Sequence, residues 1–268
     1  MADEFGIYAC PVCKRLLRHE NPLLRCSNCS QPYQVREGIP DFLCEELSRS
    51  ADPELRRMRF IDRMARIYET RFWYSLILNV YGGIRSPSLS QLVNIIARKV
   101  QSARGRVLDI ACGPDTFGRR IASETREVFG IDVSMGMLRQ GAAYTAKECI
   151  SNVHFARARV ETLPFQDGIF DAALCCGSLH LFTDTVTALR EMARAMKPGA
   201  PLAVFTFTAG RGGILKYRRV REWSRREHGL HVFELSEMRQ YLRDSGFEAF
   251  QPEVSGSVLT FSARKLPA

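Results

Sequence analysis

The 268-residue sequence predicts an α/β protein: a doubly wound, mostly parallel seven-stranded sheet preceded by a small cysteine-rich module. Beyond Arg106, β-branched and aromatic stretches alternate with stretches of helical period, the pattern of strands covered by helices on both faces. Val107 to Gly113 reads as a buried strand running into a glycine turn, and Gly130-Ile131-Asp132 as a second strand ending in a carboxylate. Together they form the start of a nucleotide-binding unit, where the turn admits a ligand to the backbone and the acid holds ribose hydroxyls. The turn Asp109-Ile110-Ala111-Cys112-Gly113 lacks the Gly-x-Gly-x-x-Gly that cradles phosphates. An uncharged nucleoside suits it better than a pyrophosphate.

The elements follow in order. Cys10-Pro11-Val12-Cys13 and Cys26-Ser27-Asn28-Cys29 are two CxxC knuckles separated by twelve residues. Four thiolates paired this way can surround a tetrahedral Zn²⁺, which replaces the hydrophobic core that so short a segment lacks. The module is assigned to residues 1–46, a structural ribbon with RNA reading as its alternative, and Cys44 is a spare thiol. Residues 47–104 are a helical linker or cap, in which Tyr68 and Trp73 are candidate pocket walls. Ser86-Pro87 opens an amphipathic helix with Leu89, Leu92, Val93, Ile96 and Val100 on one face.

Residues 105–268 form the main domain. Strands are predicted at 107–111, 128–131, 153–157, 170–176 and 202–207, and helices at 116–125, 135–146 and 184–196. A helix at 235–244 and an antiparallel hairpin at 247–252 and 258–263 close the sheet. Ligands in such sheets bind at the carboxyl ends of the strands. That places Ala111–Asp115, Asp132, Arg157–Val160 and Cys175–Leu179 around one crevice.

The ordered series Val107 to Gly113, Gly130-Ile131-Asp132-Val133-Ser134, Leu163-Pro164-Phe165, Phe170-Asp171-Ala172 and Met196-Lys197-Pro198-Gly199 resembles a class I S-adenosylmethionine-dependent methyltransferase. The chain is most similar to the ubiquinone/menaquinone-biosynthesis-like group whose members carry an N-terminal zinc ribbon. It shares its order of parts with a zinc-containing guanine-N1 methyltransferase of ribosomal RNA. The resemblance implies that Asp109, Ala111, Cys112 and Gly113 hold the methionine end of the cofactor and that Asp132 accepts both ribose hydroxyls. Val133, Met137, Val160 and Cys176 would complete the cofactor site. The chain departs from the family at Asp115, where glycine is usual, and at Arg159, where an acid normally accepts the adenine amino group. Arginine only donates. Asp115 and Arg159 are therefore expected either to pair with each other or with substrate, or Arg159 points to solvent while backbone groups bind the base.

Methyl transfer from a sulfonium is an in-line displacement that rests on alignment and exclusion of water. Where the acceptor is a hydroxyl or an activated carbon, a base assists, and His180 is the candidate. The net charge of +9 and the basic segment Arg211–His228 suit an anionic substrate, a membrane face presenting a quinone-like lipid, or RNA; a solvated lid helix is the plainer alternative. No run approaches the ~20 apolar residues of a membrane span, and the acidic start and nine cysteines fit a cytoplasmic location. Three functions are compatible with these features. The leading one is C- or O-methylation of a small aromatic, quinone-like or biosynthetic intermediate. The others are methylation of a ribosomal RNA guanine guided by the ribbon, and a non-catalytic cofactor-fold binding protein.

Overall fold

A computed structural model describes residues 5–43, 71–122, 126–210 and 212–267. Cys44, Tyr68 and Arg211 of the sequence-based expectations, and residues 47–70 of the linker, lie outside the described residues, as does the side chain of Trp73.

One mixed sheet runs through the described chain. Its body has seven strands, β5 (Gly105–Ile110), β6 (Arg126–Asp132), β7 (Val153–Arg157), β8 (Ala172–Cys176), β9 (Pro201–Phe207), β10 (Phe247–Ser255) and β11 (Val258–Lys265). They lie in the order β7-β6-β5-β8-β9-β11-β10, with β5 to β9 parallel and the final hairpin antiparallel. Four short N-terminal strands, β1 (Leu17–Glu20), β2 (Leu23–Cys26), β3 (Pro32–Arg36) and β4 (Ile39–Asp41), pair antiparallel among themselves. The last of them joins β7 in parallel through Asp41 and Arg157, so the ribbon extends the sheet.

The helices are α1 (Arg71–Ile77), α2 (Leu89–Lys99), α3 (Thr116–Ile121), α4 (Met135–Lys147), α5 (Thr185–Ala195), α6 (Arg218–His228) and α7 (Leu235–Asp244). Side chains alternate across a strand, so the two faces of β5 serve two cores. Leu108 and Ile110 join a cluster with Leu189 and Met192 of α5 and Met238 and Leu242 of α7. Val107 faces the other way, onto Leu92, Val93 and Ile96 of α2 and Phe117 of α3.

Local chemistry sets the ends. The second helix starts at Leu89, two residues after Pro87, because Ser88 and Gln91 close a reciprocal capping box. Helix α3 is shorter than its 116–125 expectation, ending at Ile121 before an extended Ala122. The basic segment is a single-turn 3₁₀ helix, Ile214–Lys216, followed by α6. Gly213 (φ 56) sits where a Cβ would strike the carbonyls of Val80 and Tyr81, so glycine lets this connection pack on the turn Leu78–Gly82.

Candidate functional site

The carboxyl ends of β5, β6, β7 and β8 open into one cleft, whose empty space is about 1040 Å³ including its solvent mouth. Of the sequence-predicted residues, Ala111, Gly113, Asp132, Val133, Met137, Arg159, Val160 and Cys176 line it. A second depression, between α2 and the β10–β11 hairpin, meets the amino end of β9 and is crossed by the Lys99–Glu253 ion pair (2.6 Å). It lies away from the strand ends where ligands bind in such sheets.

The turn after β5 is shaped for close approach. Ala111 (φ 49), Gly113 (φ 56) and Asp115 (φ 60) all take left-handed backbone. This conformation is strained for a non-glycine residue, and such strain clusters at binding sites. Asp132 ends β6 at the cleft wall. One carboxylate oxygen accepts the Gly113 N–H (2.9 Å) and the other the Ser134 N–H (2.8 Å). A carboxylate at a strand end presents two acceptor oxygens, the geometry that suits the two hydroxyls of a diol. Ser134 caps α4, its hydroxyl accepting from Met137 N–H (3.0 Å), which brings Met137 to the cleft.

Three predicted residues sit behind the wall. Asp109, 2% exposed, points toward α3, where its carboxyl hydrogen-bonds to that of Asp115 and to the Gly118 backbone. Burial, reinforced by the Asp132 charge, pushes the Asp109 carboxyl up to about 7. Asp115 is fully buried, and its carboxyl occupies the space that a Cβ on Gly118 would need. The expected Asp115–Arg159 pairing is thus replaced by two separate arrangements. Asp115 meets Asp109 beneath the turn, and Arg159 lines the cleft with Glu161 at 3.5 Å. Cys112 packs against Gly130 and the cluster of Leu138 and Phe155, and burial drives its thiol pKa upward.

His180 is also displaced from its predicted role. It is 5% exposed, its Nδ1 lies 3.1 Å from the Thr206 hydroxyl, and its ring packs edge-on against Phe207. Burial lowers its pKa to about 4, so it is a neutral core imidazole. The 3₁₀ turn Leu179–Leu181 that carries it presents Leu181 to the cleft instead, with Phe182 beside it. Ser178, within the predicted Cys175–Leu179 stretch, lines the cleft, whereas Leu181, Phe182 and Glu161 lie outside the predicted set. An apolar pair just beyond a strand end was the available clue.

Cys10, Cys13, Cys26 and Cys29 form a second candidate site, with sulfur atoms all within 4.8 Å of one another. Sulfur separations of 3.6 Å (Cys10–Cys29), 3.4 Å (Cys13–Cys26) and 3.8 Å (Cys13–Cys29) suit a tetrahedral ion. Metal–sulfur bonds of about 2.3 Å place tetrahedral sulfurs about 3.8 Å apart. The Tyr33 hydroxyl lies 3.1 Å from Cys10 Sγ, an outer hydrogen bond to the cluster.

Comparison with known proteins agrees with this geometry. Residues 107–199 match the family described as methyltransferase domain. Over 98% of its length the chain is 23% identical to an uncharacterized chloroplastic methyltransferase of Arabidopsis thaliana, At2g41040, covering 79% of it. A 107-residue stretch, 38% of this chain, is 36% identical to the ubiquinone/menaquinone biosynthesis C-methyltransferase UbiE of Yersinia pestis and spans only 43% of that protein. Among solved structures, phosphoethanolamine N-methyltransferase 2 of Haemonchus contortus in complex with S-adenosyl-L-methionine shares the fold, with a TM-score of 0.61. The identity is 20%, over 77% of this chain and 60% of that one.

Proposed function

We propose that residues 107–199, which match a methyltransferase domain, transfer the methyl group of S-adenosylmethionine to a small-molecule acceptor, by C- or O-methylation of an aromatic, quinone-like or biosynthetic intermediate. One observation carries the cofactor assignment: the strained Ala111–Gly113 turn and the Asp132 carboxylate meet in the same cleft. Asp132 receives the ribose diol, while Gly113, lacking a side chain, lets the amino-acid end approach the backbone. Bound there, the cofactor supplies an electrophilic methyl group on sulfur.

The protein's own contribution is alignment and dryness. Leu181, Phe182, Val160 and Met137 give the cleft apolar walls, which suit a planar acceptor and exclude water. With His180 sealed behind the wall, the reaction relies on an acceptor already nucleophilic or activated by its own acidity. The thiolates of Cys10, Cys13, Cys26 and Cys29 are assigned to a closed structural Zn²⁺ site, which leaves no coordination position for substrate. Among the described residues no helix is long and apolar enough to cross a membrane.

Titration calorimetry with S-adenosylhomocysteine tests the assignment. The wild type is expected to bind, and Asp132→Ala to weaken binding by about a hundredfold, as loss of two hydrogen bonds to a charged group predicts. A wild type with no measurable affinity would overturn it.

A further inference from the structure

The wall of the cleft between Ala158 and Glu161 has no strand or long helix of its own; it is the exit of β7 and a single 3₁₀ turn, Val160–Thr162. The body holds it through the Ala158 N–H on the Asp132 carbonyl (3.1 Å) and through Arg194 Nη2 on the Leu163 carbonyl (3.2 Å), and the ribbon adds a contact at each of its ends. At the first end, β4 lies against β7, with the Phe42 N–H donating to the Arg157 carbonyl (2.8 Å). Asp41, 6% exposed, accepts Arg157 Nη1 on Oδ2 (3.1 Å) and the Leu43 N–H on Oδ1 (3.1 Å). The same guanidinium donates from Nε to the Val133 carbonyl (2.8 Å). Val133 follows Asp132 directly and lines the cleft.

The second end is gripped by the residue next to a metal ligand. Lys14, adjacent to Cys13, donates from Nζ to the Leu163 carbonyl (3.1 Å) and to Glu191 (2.9 Å). Glu191 in turn accepts the Leu163 N–H (2.9 Å). The Ala9 N–H donates to the Pro164 carbonyl (2.9 Å), tying down the chain just beyond. Arg157 and Leu163 therefore bracket the segment that carries Arg159, Val160 and Glu161, and each bracket is closed by a ribbon side chain. Both donors are charged, the stronger class of hydrogen bond.

We infer that the ribbon clamps this wall and thereby sets cofactor affinity, with Asp41 and Lys14 as positioning residues that act through Arg157 and Leu163. The inference rests on the cofactor assignment proposed above. It gives the metal module a role in the cleft without any contact between metal and ligand. The wall follows the ribose acid along the sheet, so the nucleoside half of the ligand feels the clamp most.

The test uses the full-length, zinc-loaded protein and calorimetry with two probes, S-adenosylhomocysteine and 5′-methylthioadenosine, which lacks the amino-acid end. Asp41→Asn and Lys14→Met are each expected to raise Kd about tenfold for both probes, with one zinc per chain and wild-type circular dichroism retained. Arg157→Lys, which keeps the charge beside Asp41 but loses the planar fork, supplies the same readout if Asp41→Asn does not fold. Arg25→Ala, at an exposed ribbon pair with Glu20 (2.8 Å), is expected to leave Kd within twofold. Folded, metal-loaded variants that bind both probes as the wild type does would overturn the clamp and leave the cofactor assignment standing. A wild type that binds neither probe would overturn both.

Discussion

The ribbon and the body share one sheet but are held by different means. In the body, all seven residues of β9 are buried, and the cores on either face draw side chains from α2, α3, α5 and α7. In the ribbon, β1 is exposed at three of its four residues, and the buried apolar residues, Leu24, Tyr33, Ile7, Tyr8, Ile39 and Phe42 among them, lie beside the sulfur cluster or against the body. The comparison shows how little apolar surface these strands bury where four cysteines cluster beside them. It also shows where the two regimes meet, at Tyr8, Phe42 and Phe165, whose rings lie 5.4 Å apart in the Tyr8–Phe42 and Tyr8–Phe165 pairs.

Metal removal is the strongest way to break the contrast. Structural zinc contributes about 10–16 kcal/mol in isolated finger peptides, far more than the apolar contacts of so small a module. Chelation of the zinc-loaded protein is expected to release amide protection across residues 7–41, while β5, β6, β8 and β9 stay protected in hydrogen exchange. Ribbon amides that remain protected after chelation would show that packing on the body suffices.

A smaller effect is expected where the regimes join. Phe165 is fully buried between Tyr8 of the ribbon and Phe170 of the body, 4.9 Å away and perpendicular. Phe165→Ala should cost about 3–5 kcal/mol in urea unfolding, the usual price of removing a buried aromatic ring. A loss below about 1 kcal/mol would mean that the joint repacks and that the ribbon leans on its hydrogen bonds instead.

The same contrast explains what could be read from sequence. Strand 153–157 and helix 235–244 agree with the structure because hydrophobic period and stop signals are local. Spacing alone grouped Cys10, Cys13, Cys26 and Cys29, whose sulfurs do cluster. The cleft was legible as a set of strand ends, and Asp132, Gly113 and Arg159 do line it. Side-chain direction was the limit. Asp109 lies on the α3 face of β5 and Asp115 on a left-handed turn, so both carboxyls point beneath the wall, as only three-dimensional packing reveals. His180 was misread for a related reason. On a 3₁₀ turn its neighbour Leu181 faces the cleft while the imidazole turns inward to Thr206.

Two buried carboxylates sharpen the comparison further. Asp41, at the ribbon's edge, has a guanidinium partner at 3.1 Å. Asp109, in the body, has another carboxyl, Asp115, as its neighbour, and its Oδ1 has no hydrogen-bond partner among the described residues. A carboxyl whose folded pKa is raised to about 7 favours its neutral form in the native state. Its contribution to stability is complete below the unfolded carboxylate pKa of about 4 and is lost as pH rises through about 7. Denaturant unfolding of the wild type should therefore show stability falling from pH 5 to pH 8, by at most about 3 kcal/mol from this group. Asp109→Asn, neutral at every pH, should flatten that slope. A slope that survives in Asp109→Asn would assign the ionisation to another group and leave the Asp109–Asp115 pair ionised in the fold.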